Sequence, residues 1–246
     1  MAAIELQDLT VCYHRHPAVH HVSGRFDAGS LTALVGPNGA GKTTLLKTIA
    51  GLMRPESGRV ERSISGGPLA YLPQQAEVDR TFPVRVMDMV ELGFWRRLGV
   101  FGGVSARQRR QAADALAAVG LSGFEGRSIA SLSAGQFQRV LFARVLLQDA
   151  ALILLDEPFN AIDARTTADL LRVVSRWHGE GRTVIAVLHD LEQVKAHFPR
   201  TLLMARTAVD WGETAQVLRA GNLFRARQMA EAWDDSAAEC TRESAA

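Results

Sequence analysis

The sequence is poor in cysteine and contains no long apolar run. Only two cysteines occur among its 246 residues, Cys12 in a predicted strand and Cys240 in a polar tail. We therefore expect reduced thiols, and neither a disulfide framework nor a cysteine-based metal cluster. The longest apolar runs, such as residues 150–155, fall far short of the ~20 residues that cross a bilayer. The first residues carry no secretion signal, so we expect a chain that stays in the cytosol.

The net charge of the chain is also low. At +2 it is too small to indicate nucleic-acid binding by itself. The apolar share of 47% and the charged share of 22% are those of an ordinary globular protein. A chain of this length buries a sizeable core, which predicts one large domain or one domain with an inserted lobe.

The most informative segment joins an apolar stretch, residues 31–35, to a helix predicted from about Lys42 to Met53. Its sequence is Gly36-Pro37-Asn38-Gly39-Ala40-Gly41-Lys42-Thr43-Thr44. The spacing G-x-x-x-x-G-K-T is that of a phosphate-binding loop, in which glycine N–H groups approach phosphate oxygens at a helix start. Lys42 is expected at the β- and γ-phosphates, and Thr43 on Mg²⁺. A glycine-rich turn without a ligand does not explain the complete motif, so the sequence predicts nucleoside triphosphate binding.

Two polar side chains near predicted strand ends have alternative interpretations. Short alternating segments before residue 35 predict two or three strands that precede the loop strand. Among them, Tyr13 is either an aromatic packed in a sheet or a platform on which a base stacks. Gln74 follows a strand predicted at residues 69–73. Its amide is either a surface group or a group that coordinates Mg²⁺ or orients a water molecule.

Residues 76–131 become helical and rich in arginine, which predicts an inserted helical lobe at about residues 76–150. Ser105 and Gln108 have the spacing of a capping box at a helix start. Three arginines near this helix start are interpreted as a solvated face, since a nucleic-acid patch would also need interleaved aromatics: Arg107, Arg109 and Arg110. Five apolar residues bracketed by glycines are expected to be exposed and to dock another subunit: Phe94, Trp95, Leu98, Val100 and Phe101.

A second capping box is predicted at Ser133 and Gln136. Ala134 and Gly135 lie between them, and Gly135 allows another group to approach closely. The segment is either simply a well-capped helix start or a helix start that receives a phosphate. The residues alone leave both interpretations open.

Two acids follow a fully apolar strand predicted at residues 152–155. Carboxylates at the C-terminal edge of such a sheet lie where open α/β folds bind ligands. Asp156 is therefore a candidate Mg²⁺ group and Glu157 a candidate base for water, although a pair of acids that only caps a helix is the alternative. Asp163 is predicted to cap the next helix, and His189 ends a later strand, where it serves either packing or chemistry.

Taken in order, these motifs resemble the ATP-binding subunits of ABC transporters over roughly residues 4–220. The resemblance rests on Tyr13, the loop 36–44, Gln74, the helical insertion, Leu132-Ser133-Ala134-Gly135-Gln136, Asp156-Glu157, Asn160-Ala161-Ile162-Asp163 and His189. It implies an α/β P-loop NTPase fold with a mixed, largely parallel core sheet, an N-terminal antiparallel β-subdomain and the inserted helical subdomain. We expect the ATPase domain at residues 1–222 and an extension at 223–246 whose polar tail is disordered.

The resemblance also implies roles for individual residues. Glu157 would polarise the attacking water, and Gln74 and His189 would position the γ-phosphate. Mg²⁺ would bind Thr43, Gln74 and Asp156, and ATP would contact Tyr13, the loop, Ser133, Gly135, Gln136 and Asp163. The family works as a head-to-tail dimer in which the signature helix of one copy covers the γ-phosphate held by the other. Ala134 stands where the family usually has glycine, and because alanine is also small we expect function to survive this departure.

Within the family, residues 157–163 and 188–191 are similar to the ATPases of zinc and manganese uptake systems. This implies an importer, for zinc first, with separate permease subunits, an external solute-binding protein and a peripheral place on the cytoplasmic side of the membrane. The alternatives are another solute, such as manganese or an iron chelate, and a soluble ABC protein without a transport role. The soluble class usually carries heptads or a second phosphate loop, and this chain has neither. A regulatory module without turnover is the third alternative, and Glu157 argues against it.

Four histidines close in sequence allow a zinc-sensing hypothesis: His14, His16, His20 and His21. Their spacing matches no fixed metal motif, and a surface turn after Tyr13 explains them equally well.

Overall fold

The computed structural model describes residues 2–13, 16–63, 68–74, 79–99, 102–160 and 162–232. The chain divides into two compact units. The loop unit consists of Met1–Ser65 and Thr183–Ala246, and the signature unit of Gly66–Arg182. The predicted insertion at residues 76–150 lies within the signature unit.

An antiparallel sheet forms the N-terminal part of the loop unit. Its strands lie in the order β2-β1-β4, with β1 at Ala2–Tyr13, β2 at His16–Asp27 and β4 at Ser57–Arg62. The apolar side chains of β1 that alternate in the sequence are buried: Ile4, Leu6, Leu9 and Val11. The predicted antiparallel β-subdomain is confirmed.

The loop unit also contains a mixed sheet whose strands lie in the order β7-β3-β8-β9. The strands are β3 at Leu31–Val35, β7 at Thr183–Val187, β8 at Arg200–Ala205 and β9 at Thr207–Glu213. Strand β3 runs parallel to β7 and β8, and β9 runs antiparallel to β8. Every residue of β3 and β7 is buried, as is typical of parallel strands covered on both faces.

Among the described residues of the loop unit there are four helices: α1 (Lys42–Ala50), α7 (Leu191–His197), α8 (Thr214–Val217) and α9 (Ala220–Glu231). The helix predicted to reach about Met53 ends at Ala50. Gly51 takes the left-handed conformation there, and its N–H bonds to carbonyls of the last turn. Helix α9 is continuous across residue 222, and the expected domain boundary at that position stays a prediction.

In the described part of the signature unit, strand β5 at Leu69–Leu72 runs parallel to strand β6 at Leu152–Asp156. Its helices are α2 (Val86–Glu91), α3 (Trp95–Leu98), α4 (Ala106–Ala118), α5 (Ala134–Gln148) and α6 (Ala164–Gly179), with 3₁₀ turns at Leu92–Phe94 and Ile129–Ser131. Phe142 of α5 stacks on Trp177 of α6 with ring centroids 5.7 Å apart. Among the described residues, no helix combines the length and apolarity needed to cross a bilayer.

One prediction about the helical lobe is wrong. Phe94, expected to be exposed, is buried, whereas Trp95 is exposed. The 3₁₀ turn packs so closely on α5 that a Cβ at Gly93 would lie 2.6 Å from the carbonyl oxygen of Arg144. Helical periodicity gives no sign of this contact. Val100 and Phe101 lie outside the described residues. The arginines Arg107, Arg109 and Arg110 are all exposed, as predicted.

Candidate nucleotide-binding and catalytic site

The predicted phosphate loop lies between β3 and α1. Positions 36 and 41 require glycine for two reasons: both have positive φ angles, and at both another part of the backbone lies where a Cβ would be. A Cβ would lie 2.1 Å from the carbonyl oxygen of Met204 at the first position and 2.0 Å from that of Ala18 at the second. Helix α1 starts without a side-chain cap and without an acid in its first turn. Its N-terminus therefore keeps the partial positive charge that favours an anion.

Lys42 folds back over the start of this loop. The residue is only 6% exposed, and Nζ donates hydrogen bonds of 2.9 Å to the carbonyls of Gly36 and Pro37. These carbonyls offset part of the cost of burying the ammonium charge. Thr43 is half-buried and Thr44 buried on the first turn of α1. The loop thus combines a fixed cation with a helix N-terminus.

Tyr13 and His189 also belong to the loop unit. The side chain of Tyr13 is 45% exposed at the end of β1, and its hydroxyl donates to Sδ of Met53 over 3.1 Å. Because almost half of Tyr13 is exposed, the structure favours the stacking interpretation, which stays a prediction. His189 is exposed beyond β7 and lines a cavity of about 480 Å³ together with Gly36 and Pro37. Its exposure favours a chemical role over packing, and that role stays a prediction.

In the signature unit, the two strand-end acids differ sharply in environment. Asp156 is completely buried, and its Oδ2 accepts a 3.3 Å hydrogen bond from the hydroxyl of Tyr71. Glu157 is half-buried and has a φ of 46°, a left-handed conformation that strains any residue except glycine. Oε2 of Glu157 accepts hydrogen bonds from the amides of Gln74 at 2.7 Å and Asn160 at 3.1 Å. The structure thus brings the predicted Gln74 and Glu157 together.

The predicted capping box at Ser133 is confirmed. Oγ of Ser133 accepts from the N–H of Gln136 at 3.2 Å, and the N–H of Ser133 donates to Oε1 of Gln136 at 3.0 Å. Ser133 itself is exposed. A Cβ at Gly135 would lie 3.4 Å from Oδ2 of Asp163 and from Oγ1 of Thr166. Within this chain the start of α6 therefore lies beside Gly135, at an ordinary van der Waals distance for an added methyl group. The close approach of another group at Gly135 stays a prediction.

Asp163 caps α6, as predicted. Its carboxylate accepts hydrogen bonds from the N–H of Thr166 at 2.9 Å and from the hydroxyl of Thr166 at 2.7 Å. These two bonds, the backbone one first, hold the pKa of Asp163 below its usual value. Asp163 is therefore an ionised acid close to the signature motif at neutral pH.

The sequence matches the ABC transporter family over residues 19–160. The chain belongs to the ABC transporter family. It is an ATP-binding subunit and an ATPase. Its architecture, with a mixed sheet that includes parallel strands, a separate antiparallel sheet and helices, is that of ABC ATPase cassettes.

Two relatives and one solved structure illustrate the similarity. The manganese transport system ATP-binding protein MntB of Listeria monocytogenes is 40% identical over 220 residues, which cover 87% of this chain and 91% of MntB. The zinc transport system ATP-binding protein TroB of Treponema pallidum is 40% identical over 209 residues, covering 82% of this chain and 78% of TroB. The dimeric structure of MJ0796, a bacterial ABC transporter cassette, has a TM-score of 0.76 and 25% identity, covering 86% of this chain and 98% of that one.

Sequence reasoning missed two residues that support the acids of this ABC ATPase. Tyr71, the hydrogen-bond donor to Asp156, is the only polar residue of β5, which is the signal that could have identified it. Asn160 lies within the predicted motif, but its bond to Glu157 depends on the turn in which the N–H of Asn160 bonds to the carbonyl of Glu157 at 3.2 Å. No sequence pattern predicts that turn.

The histidine cluster forms no metal site in the described part of the chain, where no group of three or more His, Cys, Asp or Glu side chains could hold an ion. Nδ1 of His21 is 2.7 Å from Oδ1 of Asp8, and the rings of His20 and His21 are 4.3 Å apart. Burial and the neighbouring His21 lower the pKa of His20. His14 lies outside the described residues.

Proposed function

We propose that the chain is the ATP-hydrolysing subunit of an ABC importer for a divalent transition metal, with zinc as the first candidate. The relatives named for manganese and for zinc transport, both 40% identical, support a role in metal transport. The similarity of residues 157–163 and 188–191 to zinc and manganese uptake ATPases supports the same class. The observation that carries the ATPase role is the Glu157 carboxylate, oriented by two amides directly after the buried Asp156.

Mg²⁺ fits the candidate ligands Thr43, Asp156 and Gln74. They supply a hydroxyl, a carboxylate and an amide oxygen, the hard oxygen donors that this ion prefers. The amide nitrogen of Gln74 is already bonded to Glu157, which leaves the oxygen for a metal ion or water. When bound, Mg²⁺ would neutralise charge on the phosphates during phosphoryl transfer.

The chain's own residues supply the positioning on which phosphoryl transfer depends. In this proposal the loop 36–44 and Lys42 hold the triphosphate, and Tyr13 stacks on the base. Glu157 accepts the proton of the attacking water, while Gln74 and His189 position that water and the γ-phosphate. The hydrogen bonds from Gln74 and Asn160 keep the Glu157 carboxylate in one orientation.

The working unit in this proposal is a head-to-tail homodimer. Ser133 is exposed at a capped helix start, where the N-terminus of α5 favours a phosphate. Together with Gly135, Gln136 and Asp163 it would cover the ATP held by the loop of the other copy. The similar dimeric cassette supports this arrangement. The dimer would sit on permease subunits at the cytoplasmic side of the membrane, would receive solute from an external binding protein, and would bind no nucleic acid.

Metal uptake by cells tests this function. A strain without the gene should take up less zinc and should grow poorly with a zinc chelator, and added zinc should restore growth. A plasmid copy of the parent sequence should restore uptake, and a copy of Glu157→Gln should not. Glu61→Gln makes the same chemical change on an exposed strand and, as the control, should restore uptake. Rescue by manganese or by an iron chelate, with zinc ineffective, would contradict the zinc assignment only. Full uptake in the strain without the gene would contradict the transport role.

A further inference from the structure

A polar network joins α5 to the first turns of α6 within the signature unit. The guanidinium of Arg139 donates from Nη1 to the carbonyl of Val119 at 2.9 Å. Nη2 donates to Oγ1 of Thr166 at 3.2 Å and to Oδ2 of Asp169 at 2.6 Å. The side chain of Arg139 is 16% exposed and that of Asp169 is 29% exposed. A charge-assisted pair sheltered to this degree holds its geometry better than an ion pair in open solvent.

Thr166 belongs both to this network and to the contacts of Asp163, which the proposed function places at the nucleotide. Thr166, which accepts from Arg139, is also the residue that donates twice to Asp163. On α5, Arg139 lies one helical turn after Gly135, so both face α6. A Cβ added at Gly135 would lie 3.4 Å from Thr166 and from Asp163, whereas Arg139 bonds to Thr166 and Asp169. Helix α6 therefore lies beside α5 at both positions, and Arg139 bonds the two helices together.

Gly135 and Arg139 differ in how they can hold α5 against α6. Gly135 has no side chain and can only pack, which limits the distance between the helices but not their sliding. The bonds of Arg139 are directional, since a planar guanidinium reaches its three acceptors along fixed directions. Gly120 leaves room for this group, because a Cβ there would lie 2.9 Å from Nη1 of Arg139. Arg139 is thus the part of the contact that sets the register between α5 and α6.

We infer that Arg139 is a positioning residue for ATP-driven dimer closure: it fixes the helix start at Ser133 in register with Asp163, so that both meet the partner copy's nucleotide together. This inference rests on the dimer in the proposed function. Asp169 stays ionised at neutral pH, because hydrogen bonds from Arg172 and from Arg139 hold its pKa below the usual value. Arg172 binds the same carboxylate but is 78% exposed and reaches neither Thr166 nor Val119.

The test compares Arg139→Lys with Arg172→Lys, each in a Glu157→Gln chain that retains ATP. Lysine keeps the charge but lacks the fork that reaches several acceptors. We expect Arg139→Lys to bind a fluorescent ATP analogue within about twofold of its parent, because its own phosphate loop is untouched. Its ATP-driven dimerisation, measured by sedimentation, should weaken by about tenfold or more, the equivalent of one lost charged hydrogen bond. Arg172→Lys should change neither quantity.

Two further variants keep the outcomes distinct. Ser133→Trp should abolish dimerisation, and a dimer that forms despite it would contradict the proposed function itself. Suppose that Ser133→Trp abolishes dimerisation. If Arg139→Lys then dimerises like its parent, or loses analogue binding and dimerisation to the same degree, the inference about Arg139 is wrong. The proposed dimer is not contradicted by either result. If Arg139→Lys does not fold, Asp169→Asn replaces it, because it removes one carboxylate acceptor of Arg139 with almost no change of shape. We expect the same weakening of ATP-driven dimerisation, and normal dimerisation would contradict the inference.

Discussion

Replacement of Gly41 by alanine should destabilise the loop unit more than the same replacement at Gly39. Both glycines are left-handed, with φ of 83° and 75°, which costs any other residue about 1–2 kcal/mol. A Cβ at Gly41 would lie 2.0 Å from the carbonyl oxygen of Ala18, whereas one at Gly39 would meet no atom within 4 Å. Relief of the overlap requires backbone movement, which costs about 1–3 kcal/mol more. Gly41→Ala should therefore lose roughly 2–5 kcal/mol of stability and Gly39→Ala only the conformational part.

The assay is thermal unfolding without nucleotide. One kcal/mol shifts the midpoint of a chain of this size by about 2–4 °C, so the two variants should differ by roughly 2–12 °C. Binding of an ATP analogue should also fall in Gly41→Ala, because the first N–H groups of α1 move with residue 41. Equal midpoints for the two variants would refute the argument from close backbone approach.

Three further predictions concern single side chains. Lys42→Ala should abolish measurable binding of a fluorescent ATP analogue, and Lys47→Ala on the same helix should leave it measurable; unchanged affinity in Lys42→Ala would refute the phosphate-loop assignment. Tyr13→Ala should weaken binding of the same analogue by about 1–3 kcal/mol and Tyr13→Phe by much less, because stacking needs the ring and not its bond to Met53; equal losses would refute stacking. Folding lowers the pKa of Asp163, so its ionised carboxylate stabilises the folded state at pH values above the unfolded pKa. This stabilisation is lost as the pH falls through the folded pKa. In urea unfolding, the advantage of the parent over Asp163→Asn should therefore shrink below about pH 4, and a gap that widens with acid would contradict it.

The phosphate loop and the capped helices could be predicted because each depends on local chemistry. Glycine spacing specifies the loop, and the pair Ser133 and Gln136 forms its capping box within four residues of sequence. Buried strands such as β3 and β7 could be predicted from their nearly continuous apolar runs. These features require no knowledge of distant contacts.

Features that depend on tertiary contacts could not be predicted. Phe94 is buried because its turn packs on α5, a contact between segments about 50 residues apart. The left-handed backbone of Glu157 is strained and has no sequence signature in a residue other than glycine. The guanidinium of Arg139 joins three segments, and the sequence alone does not indicate which acceptors it reaches.

The central claim is that ATP closes the dimer and that Glu157 is needed only to open it by hydrolysis. The most direct measurement is gel filtration of the Glu157→Gln chain with its membrane partner, with and without MgATP, followed by phosphate release from the same fractions. Glutamine keeps the shape of the side chain but removes its basic carboxylate. We predict a closed, ATP-retaining dimer whose turnover is lower by ~10²-fold or more than that of the Glu61→Gln control. Full hydrolysis by Glu157→Gln, or two ATPase chains that never approach each other with ATP bound, would contradict the claim.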